Sequence, residues 1–557
     1  MDYSIFIGGA AGQGLDTLSH ALSKILQRSG FYVYTTSDYL SRVRGGQNFF
    51  QIRFADHPIH SATSRLDCIY ALNHEVLQQH IDRLQENGLA LADEEVSAVD
   101  RLTRLPLRAI AEELGNVRVF NSVGLGYILK VFGLDFDRAQ EMLQQIFVDE
   151  TMFELNMQAL HKGAALTESS VPVESGTQRK HILINGNHAA ALGAIAAGCR
   201  YYCGYPMTPS SSILVFMDAV SQEMEIVVDQ VEDEVAALNM ALGASYAGVR
   251  AMTGSSGGGF ALMQEAMSLA GIIETPVVVI NVQRPGPATG LPTYTEQGDL
   301  RFVLHAGHGE FPKMVIALRD GEDAFYQTAR AFNIADKYQI PVVLLSDQYL
   351  ADTEVTLPPF DFSKISIERH LADAQAYGPG TYCRYQVTES GVSPRLLPGA
   401  KGNSVIVDSD EHDEKGRIDE SADNRRTQVD KRLRKGQGLA QEVQPPWEFG
   451  ADAPELLLVC WGSLAGPMRE ACEQLNAQGL AVRALVYGDI WPFHTERLQT
   501  LHAQVKKLVV VEQNATGQFE GLMRQEALIR ADEKLLKYDG RQWKSDEIVA
   551  ALKEVLS

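Results

Sequence analysis

Three residues could carry chemistry in this sequence: a threonine, a glutamate and an arginine, each beside chain-stiffening or chain-opening neighbours. Thr208 stands between Pro206 and Pro209 in the run Gly204-Tyr-Pro-Met-Thr-Pro-Ser-Ser-Ser212. Proline fixes φ, so this turn is stiff and its hydroxyl and carbonyls are pre-aimed. Further on, after an apolar stretch ending at Val231, come Glu232, Asp233 and Glu234. They open a helix rich in small residues, Ala236, Ala237, Ala241, Gly243, Ala244 and Ala247, along which a flat ring could come close to backbone. A carboxyl there suits general acid–base work, worth about 10²–10⁴ in rate; the bland alternative is that three acids complement the helix dipole. The Gly-rich loop Thr253-Gly-Ser-Ser-Gly-Gly-Gly259 follows, and the strand-like run Pro276–Val282 delivers Gln283 and Arg284 into another loop. Ligands of open α/β sheets sit beyond strand carboxyl ends. A guanidinium there can grip a carboxylate through two parallel hydrogen bonds, each about 1.5–3 kcal/mol.

A second constellation lies at the start. Gly8-Gly-Ala-Ala-Gly-Gln-Gly14 has the order G-x-x-G-x-G rather than the dinucleotide fingerprint G-x-G-x-x-G. Glycines between strand and helix, here Gly12 and Gly14, let an anion reach backbone N–H donors. Asp38 could serve a ribose, but Arg42 and Arg44 in Ser41-Arg-Val-Arg-Gly-Gly46 favour phosphates. Close helix–strand packing with no ligand is the structural alternative.

The elements that must position these groups follow from periodicity. Tyr3–Ile7 reads as a strand, Leu15–Ser29 as a helix burying Leu15, Leu18, Leu22, Ile25 and Leu26, and Phe31–Thr35 as the next strand. That βαβ opening implies a largely parallel sheet covered by helices. The polar run 167–180 has a linker's composition. Alternating strands and helices resume from 181 to 359 and again from 448 to 557. Between them, 360–447 reads as an irregular polar connection, with a charge-dense stretch from Asp408 to Lys435. The expected architecture is α/β, with three parallel-sheet α/β domains at 1–175, 181–359 and 448–557.

Bulk properties narrow the function classes. At 557 residues the chain exceeds a single core. Its net charge of -22 argues against nucleic acid or an anionic membrane as partner. No apolar run reaches the roughly 18 residues of a membrane span, and a cytoplasmic location is expected. The six cysteines lack iron–sulfur spacing and read as buried small hydrophobes, so any cluster belongs in another chain. Asp408–Gly416 lacks the alternating oxygens of a calcium loop and reads as a solvated segment; no metal site is assigned to this chain.

In order, the YPMTPSS turn, Glu234, the GSSGGG loop and Arg284 resemble the pyrimidine-binding domain of thiamin-diphosphate enzymes. The likeness is to the α subunit of 2-oxoacid:ferredoxin oxidoreductases, with a γ-like domain ahead of it and a transketolase-C-terminal-like domain behind. The resemblance implies oxidative decarboxylation of a 2-oxoacid, with the acyl group passed to coenzyme A and electrons to ferredoxin. It implies that Glu234 meets the aminopyrimidine ring nitrogen and Pro206 the cofactor amine. Thr208 and Arg284 would hold the oxo-acid, and Gly12, Gly14, Arg42 and Arg44 coenzyme A. The segment Pro285–Leu300, containing Thr289, looks like the 2-oxoglutarate type, which yields succinyl-CoA; Thr289, Thr293, Arg301, Lys313 or a partner chain would meet its second carboxylate. No Gly-Asp-Gly diphosphate–metal motif is present. A β subunit is therefore expected to bring Mg²⁺, the [4Fe-4S] cluster and the ferredoxin contact, in a dimer of αβ units. Two alternatives stay open: a pyruvate or broad-specificity oxidoreductase, and a non-catalytic coenzyme A- or nucleotide-binding module.

Overall fold

The computed structural model describes residues 1–39, 46–168, 171 and 176–556. The chain folds as α/β around three sheets and divides into two compact units.

The first unit comprises residues 1–185, 352–359 and 544–552. Its eight-stranded sheet contains β1 (Asp2–Ala10), β2 (Tyr32–Tyr39), β3 (Gln47–Ala55), β4 (Leu66–Ala71), β5 (Leu84–Asp93), β6 (Leu102–Leu105) and β7 (Ile182–Asn185), together with β14 (Glu354–Leu357). The order is β6-β5-β4-β1-β3-β2-β14-β7. The helix after β1, Leu15–Arg28, buries the five expected apolar residues. It connects β1 to β2 as the βαβ pattern requires, yet the two strands are not neighbours: β3 lies between, antiparallel to both. Pairing is parallel on one side of β1, through β4, β5 and β6. It is antiparallel on the other, through β3, β2, β14 and β7. The sequence reading assigned residues 182–185 and 354–357 to the next domain; as β7 and β14 they extend this sheet instead.

The second unit holds the other two sheets. One contains β8 (Cys199–Gly204), β9 (Val227–Gln230), β10 (Arg250–Ser255), β11 (Val277–Gln283), β12 (Met314–Ala317) and β13 (Pro341–Asp347). The other contains β15 (Trp447–Gly450), β16 (Leu456–Trp461), β17 (Val482–Tyr487), β19 (Lys507–Glu512) and β20 (Glu533–Leu536). A short strand, β18 (Asp489–Trp491), closes the β12 edge of the former, giving the order β18-β12-β13-β11-β10-β8-β9. Parallel strands covered on both faces read as continuous apolar runs, as Val277–Val282 does. Every residue of β10, β11 and β13 is buried. One apolar core joins the two sheets, with Phe260 and Val279 in the same cluster as Val459, Trp461 and Phe519.

The connection between these sheets is less irregular than its composition suggests. Ala422–Leu439 is an 18-residue helix capped by Ser421. Lys431 and Lys435 lie one turn apart on it, 0% and 1% exposed, and both reach the fully buried Glu274, at 2.6 Å and 2.5 Å. Arg384 Nη2 donates to the Glu274 carbonyl oxygen at 2.6 Å. Burial works against the Glu274 charge, but Lys435, Lys431 and Arg384 outweigh it and hold the carboxyl well below its usual range. Burial pushes the Lys435 ammonium down to about 8 against the pull of Glu274. The charge-dense stretch thus contributes to an internal ion triad, because its basic residues find an acid far back in the sequence.

Removing one partner of a buried ion group costs about 3–5 kcal/mol, since the others are left uncompensated. Glu274→Gln is therefore expected to lower the urea midpoint of the unit that contains it. A carboxyl with a depressed folded pKa stabilises fully above its unfolded value and loses that contribution as pH falls. The gap between wild type and variant should then narrow on acidification; a gap that widens, or no gap at neutral pH, would contradict this role.

Candidate functional site

The carboxyl ends of β8, β10 and β11 lie side by side, with Thr253 in register with Cys203 and Ser255 with Asn281. The stiff turn leaves β8 at Gly204. Its Thr208–Pro209 peptide is cis. Asn187, 1% exposed, pins the turn from behind, donating from Nδ2 to Pro209 O at 2.9 Å and to Ser212 Oγ at 2.7 Å. Pro206 is exposed and Thr208 half-buried.

The three consecutive acids, of which the resemblance singled out Glu234, have three fates. Glu232 is exposed. Asp233 is the N-cap of helix Glu234–Tyr246, its side chain accepting from Ala236 N at 2.7 Å. Such a cap satisfies a helix N–H that would otherwise lack a partner. Glu234 is the first helical residue and is 2% exposed. Ser255 Oγ, at the end of β10, donates to Glu234 Oε1 at 2.9 Å and lies 3.6 Å from Met207 Sδ. The acid, the turn and the Gly-rich loop therefore meet at one hydroxyl.

The glycines of that loop are required by contact. A Cβ on Gly259 would stand 2.1 Å from both Glu234 Oε1 and Ser255 Oγ, and one on Gly257 would stand 2.3 Å from Asp299 Oδ2. On Gly258 the nearest atoms, Ala288 O and Met207 Sδ, are 4.0 Å away, so this part of the loop faces open space.

Arg284 follows β11 and donates from Nη1 to Thr208 O at 2.6 Å. Burial lowers its pKa, opposed by the nearby Asp299. Asp299 accepts from Asn281 Nδ2 at 3.1 Å, and burial raises its pKa against the pull of Asn281 and Arg284. Burial and then Asp299 also raise Glu296. Thr289 lies in the exposed loop beyond Arg284. Gly290 shapes that loop: its φ is +53°, and a Cβ there would stand 1.8 Å from Pro285 O. Lys313 does not join the site. Its Nζ is buried on Ala306 O at 2.6 Å, where desolvation pushes it down to about 8.

In the first unit, Gly12 and Gly14 have φ of +89° and +78°, left-handed values that favour glycine. Gly14 is the N-cap of Leu15–Arg28 with no side-chain cap. Asn121 Nδ2 fastens the turn by donating to Gln13 O at 2.7 Å. Arg42 and Arg44 lie outside the described residues.

Sequence reasoning grouped Glu234, Thr208, Pro206 and Arg284 but missed Ser255, Asn187, Asn281 and Asp299. Ser255 sat within the quoted loop, yet nothing in its type or spacing marked it out from Ser256. The buried asparagines had a weak signal, as polar residues next to or within apolar runs.

Comparison with known proteins now places the chain. Residues 4–166, 192–431 and 454–540 match three family models: pyruvate ferredoxin/flavodoxin oxidoreductase; its thiamine-diphosphate-binding region; and core domain II of pyruvate:ferredoxin oxidoreductase. The chain belongs to the 2-oxoacid:ferredoxin oxidoreductase family, as an α subunit, and the members of this family are enzymes. It is 31% identical to the 2-oxoacid:ferredoxin oxidoreductase subunit alpha of Sulfolobus sp, over 100% of this chain and 97% of that one. It is 32% identical to the 2-oxoglutarate synthase subunit KorA of Methanothermobacter marburgensis, over 66% of this chain and 96% of that one. Among solved structures it is similar to the 2-oxoglutarate:ferredoxin oxidoreductase of Magnetococcus marinus, with a TM-score of 0.93 and 30% identity over 100% of both chains. That structure holds 2-oxoglutarate, coenzyme A and succinyl-CoA. No helix among the described residues is long and apolar enough to cross a membrane.

Gly259→Ala drives a methyl group into Glu234 Oε1, so the carboxyl must move. Turnover should fall by roughly 10²-fold, the scale of lost acid–base help, with circular dichroism and melting temperature near wild type. Full activity in this variant would mean that the position of Glu234 does not matter.

Proposed function

We propose that this chain is half of a thiamin-diphosphate active site that converts 2-oxoglutarate and coenzyme A to succinyl-CoA and CO₂, passing electrons to ferredoxin. The observation that carries the reading is the meeting of Glu234, Ser255, Gly259, Thr208 and Arg284 at the carboxyl ends of three neighbouring parallel strands.

The residues present fit the cofactor's aminopyrimidine. A glycine run opens beside a nearly solvent-free carboxyl, and Ser256 Oγ in that run is buried without a hydrogen-bond partner among the described residues. When bound, thiamin diphosphate supplies a carbon nucleophile and an electron sink for the decarboxylation. In this reading Glu234 hydrogen-bonds the pyrimidine ring nitrogen and exchanges a proton with it. The carbonyl oxygen of Pro206 accepts from the cofactor's amine. Arg284 grips the carboxylate next to the keto carbon while Thr208 Oγ1 orients the keto group. The bond from Arg284 to Thr208 O fixes those two residues relative to each other before substrate arrives. Thr289, in the exposed loop beyond Arg284, meets the far end of the substrate. Gly12 and Gly14, with Arg42 and Arg44, receive coenzyme A.

The 2-oxoglutarate assignment is supported by the Pro285–Leu300 segment and by the names of the Methanothermobacter and Magnetococcus relatives. A broad 2-oxoacid specificity is the second reading, favoured by the name of the Sulfolobus relative. A β subunit contributes the diphosphate site with Mg²⁺ and the [4Fe-4S] cluster, and delivers electrons to ferredoxin, in a dimer of αβ units located in the cytoplasm. In this reading 1–175 serves coenzyme A, the part of 181–359 without β7 and β14 serves the pyrimidine, 360–447 is the connection and 448–557 the transketolase-C-terminal-like part.

The test is anaerobic viologen reduction by this chain co-expressed with its β partner, supplied with coenzyme A and either 2-oxoglutarate or pyruvate. Reduction that prefers 2-oxoglutarate and vanishes without β is expected. A preference for pyruvate overturns the substrate and keeps the site. Glu234→Gln should lose about 10²–10⁴ in kcat with assembly intact, and retained turnover would overturn the acid–base role. Arg284→Met should act mainly by raising KM for the 2-oxoacid.

A further inference from the structure

We propose that Ser255 is a positioning residue that decides which oxygen of Glu234 carries the proton, an inference that rests on the thiamin reading above. Ser255 is 1% exposed and owns a single hydroxyl hydrogen. Two acceptors lie near it, Glu234 Oε1 at 2.9 Å and Met207 Sδ at 3.6 Å. A thioether sulfur accepts weakly and a carboxyl oxygen strongly, so the hydrogen goes to Oε1.

A protonated carboxyl has one hydroxyl oxygen and one carbonyl oxygen. With Oε1 accepting from Ser255, Oε1 is the carbonyl oxygen and the proton resides on Oε2. The reverse arrangement would make Oε1 donate to Ser255 Oγ, turning the serine hydrogen toward sulfur and exchanging a strong bond for a weak one. The surroundings oppose any other escape. Gly259 packs so closely that even a methyl group would overlap Oε1, and the Asp233 cap fixes the backbone from which Glu234 projects. Glu234 can then give its proton from Oε2 to a pyrimidine ring nitrogen and take the same proton back without rotating the carboxyl. The Ser255 bond to Oε1 is kept in both states, and no net charge enters or leaves the pair.

The experiment uses the complex with β and three variants. Ser255→Ala removes the donor, Ser255→Cys keeps the volume with a poor donor, and Ser255→Thr keeps the hydroxyl. Calorimetric titration of the apo-complex with thiamin diphosphate reads the affinity, and steady-state kinetics read kcat and KM for the 2-oxoacid. Ser255→Ala and Ser255→Cys are expected to bind thiamin diphosphate roughly tenfold more weakly and to lose roughly tenfold in kcat, because the carboxyl is no longer held with its proton on the oxygen that faces the ring nitrogen. KM for the 2-oxoacid should hold, since Thr208 and Arg284 are untouched, and Ser255→Thr should restore affinity and kcat. Wild-type behaviour of the alanine and cysteine variants overturns the proposal. So does a loss that threonine fails to restore, or a loss in alanine that cysteine does not share, because either would mean that volume is what matters. If Ser255→Ala does not assemble with β, the cysteine–threonine pair decides alone. Glu234→Gln run alongside separates the two failures: if it stays active the thiamin reading falls, and if it is dead while Ser255→Ala is normal only this inference falls.

Discussion

A carboxyl group loses strong hydration when it leaves water, and it can be kept in a nearly dry place only if something replaces the solvent. At Glu234 the replacement is a serine hydroxyl, and room for it exists because the neighbouring loop has no side chains to bring. That constraint propagates. The loop must be glycine, the strand before it must end at Ser255, and the helix after the acids must start where Asp233 can cap it. The turn bearing Thr208 is drawn into the same arrangement by Met207, and Arg284 ties the turn to the next strand.

The same economy of buried charge recurs away from the site. Glu274 meets Lys431 and Lys435 with no measurable exposure of the acid. Asp336 accepts from Arg250 at 2.8 Å and from Arg395 at 3.0 Å, all three nearly out of solvent. These pairs fasten the polar connection to the strands that present the site. Desolvation makes such groups poor sources of net stability but costly to break singly.

How much of this was legible beforehand depends on the range over which each signal acts. The helix Leu15–Arg28 and the run of β11 were readable because their apolar patterns are local. The order of turn, acid, glycine loop and arginine was readable because each piece is a short chemical pattern. Which of three consecutive acids is buried was suggested by family likeness and has a physical cause only in the fold, where the cap falls on Asp233. The helix Ala422–Leu439 was hidden because its lysines look solvated until Glu274, in another part of the chain, is placed beside them. The mixed character of the first sheet was hidden because β3 inserts between β1 and β2, antiparallel to both, and β14 joins from beyond residue 350; strand partners are not written in local sequence. Ser255 gave no sign at all, since a hydrogen-bond donor is recognised by its acceptor.

The late arrival of β14 has a bearing on how such a chain could be divided. β14 lies between β2 and β7, paired to Thr35 and Tyr34 on one side and to residues 182–185 on the other. Thr356 Oγ1 also accepts from Val33 N at 2.9 Å. A polypeptide starting after residue 180 would keep β7 and β14 as a two-stranded ribbon whose β14 edge is newly open, and a polypeptide stopping there would leave β2 open. Exposed edges invite strand addition. Two separately made pieces would therefore carry matching, mutually adhesive borders, so the seam between them could be closed by backbone hydrogen bonds without a covalent link.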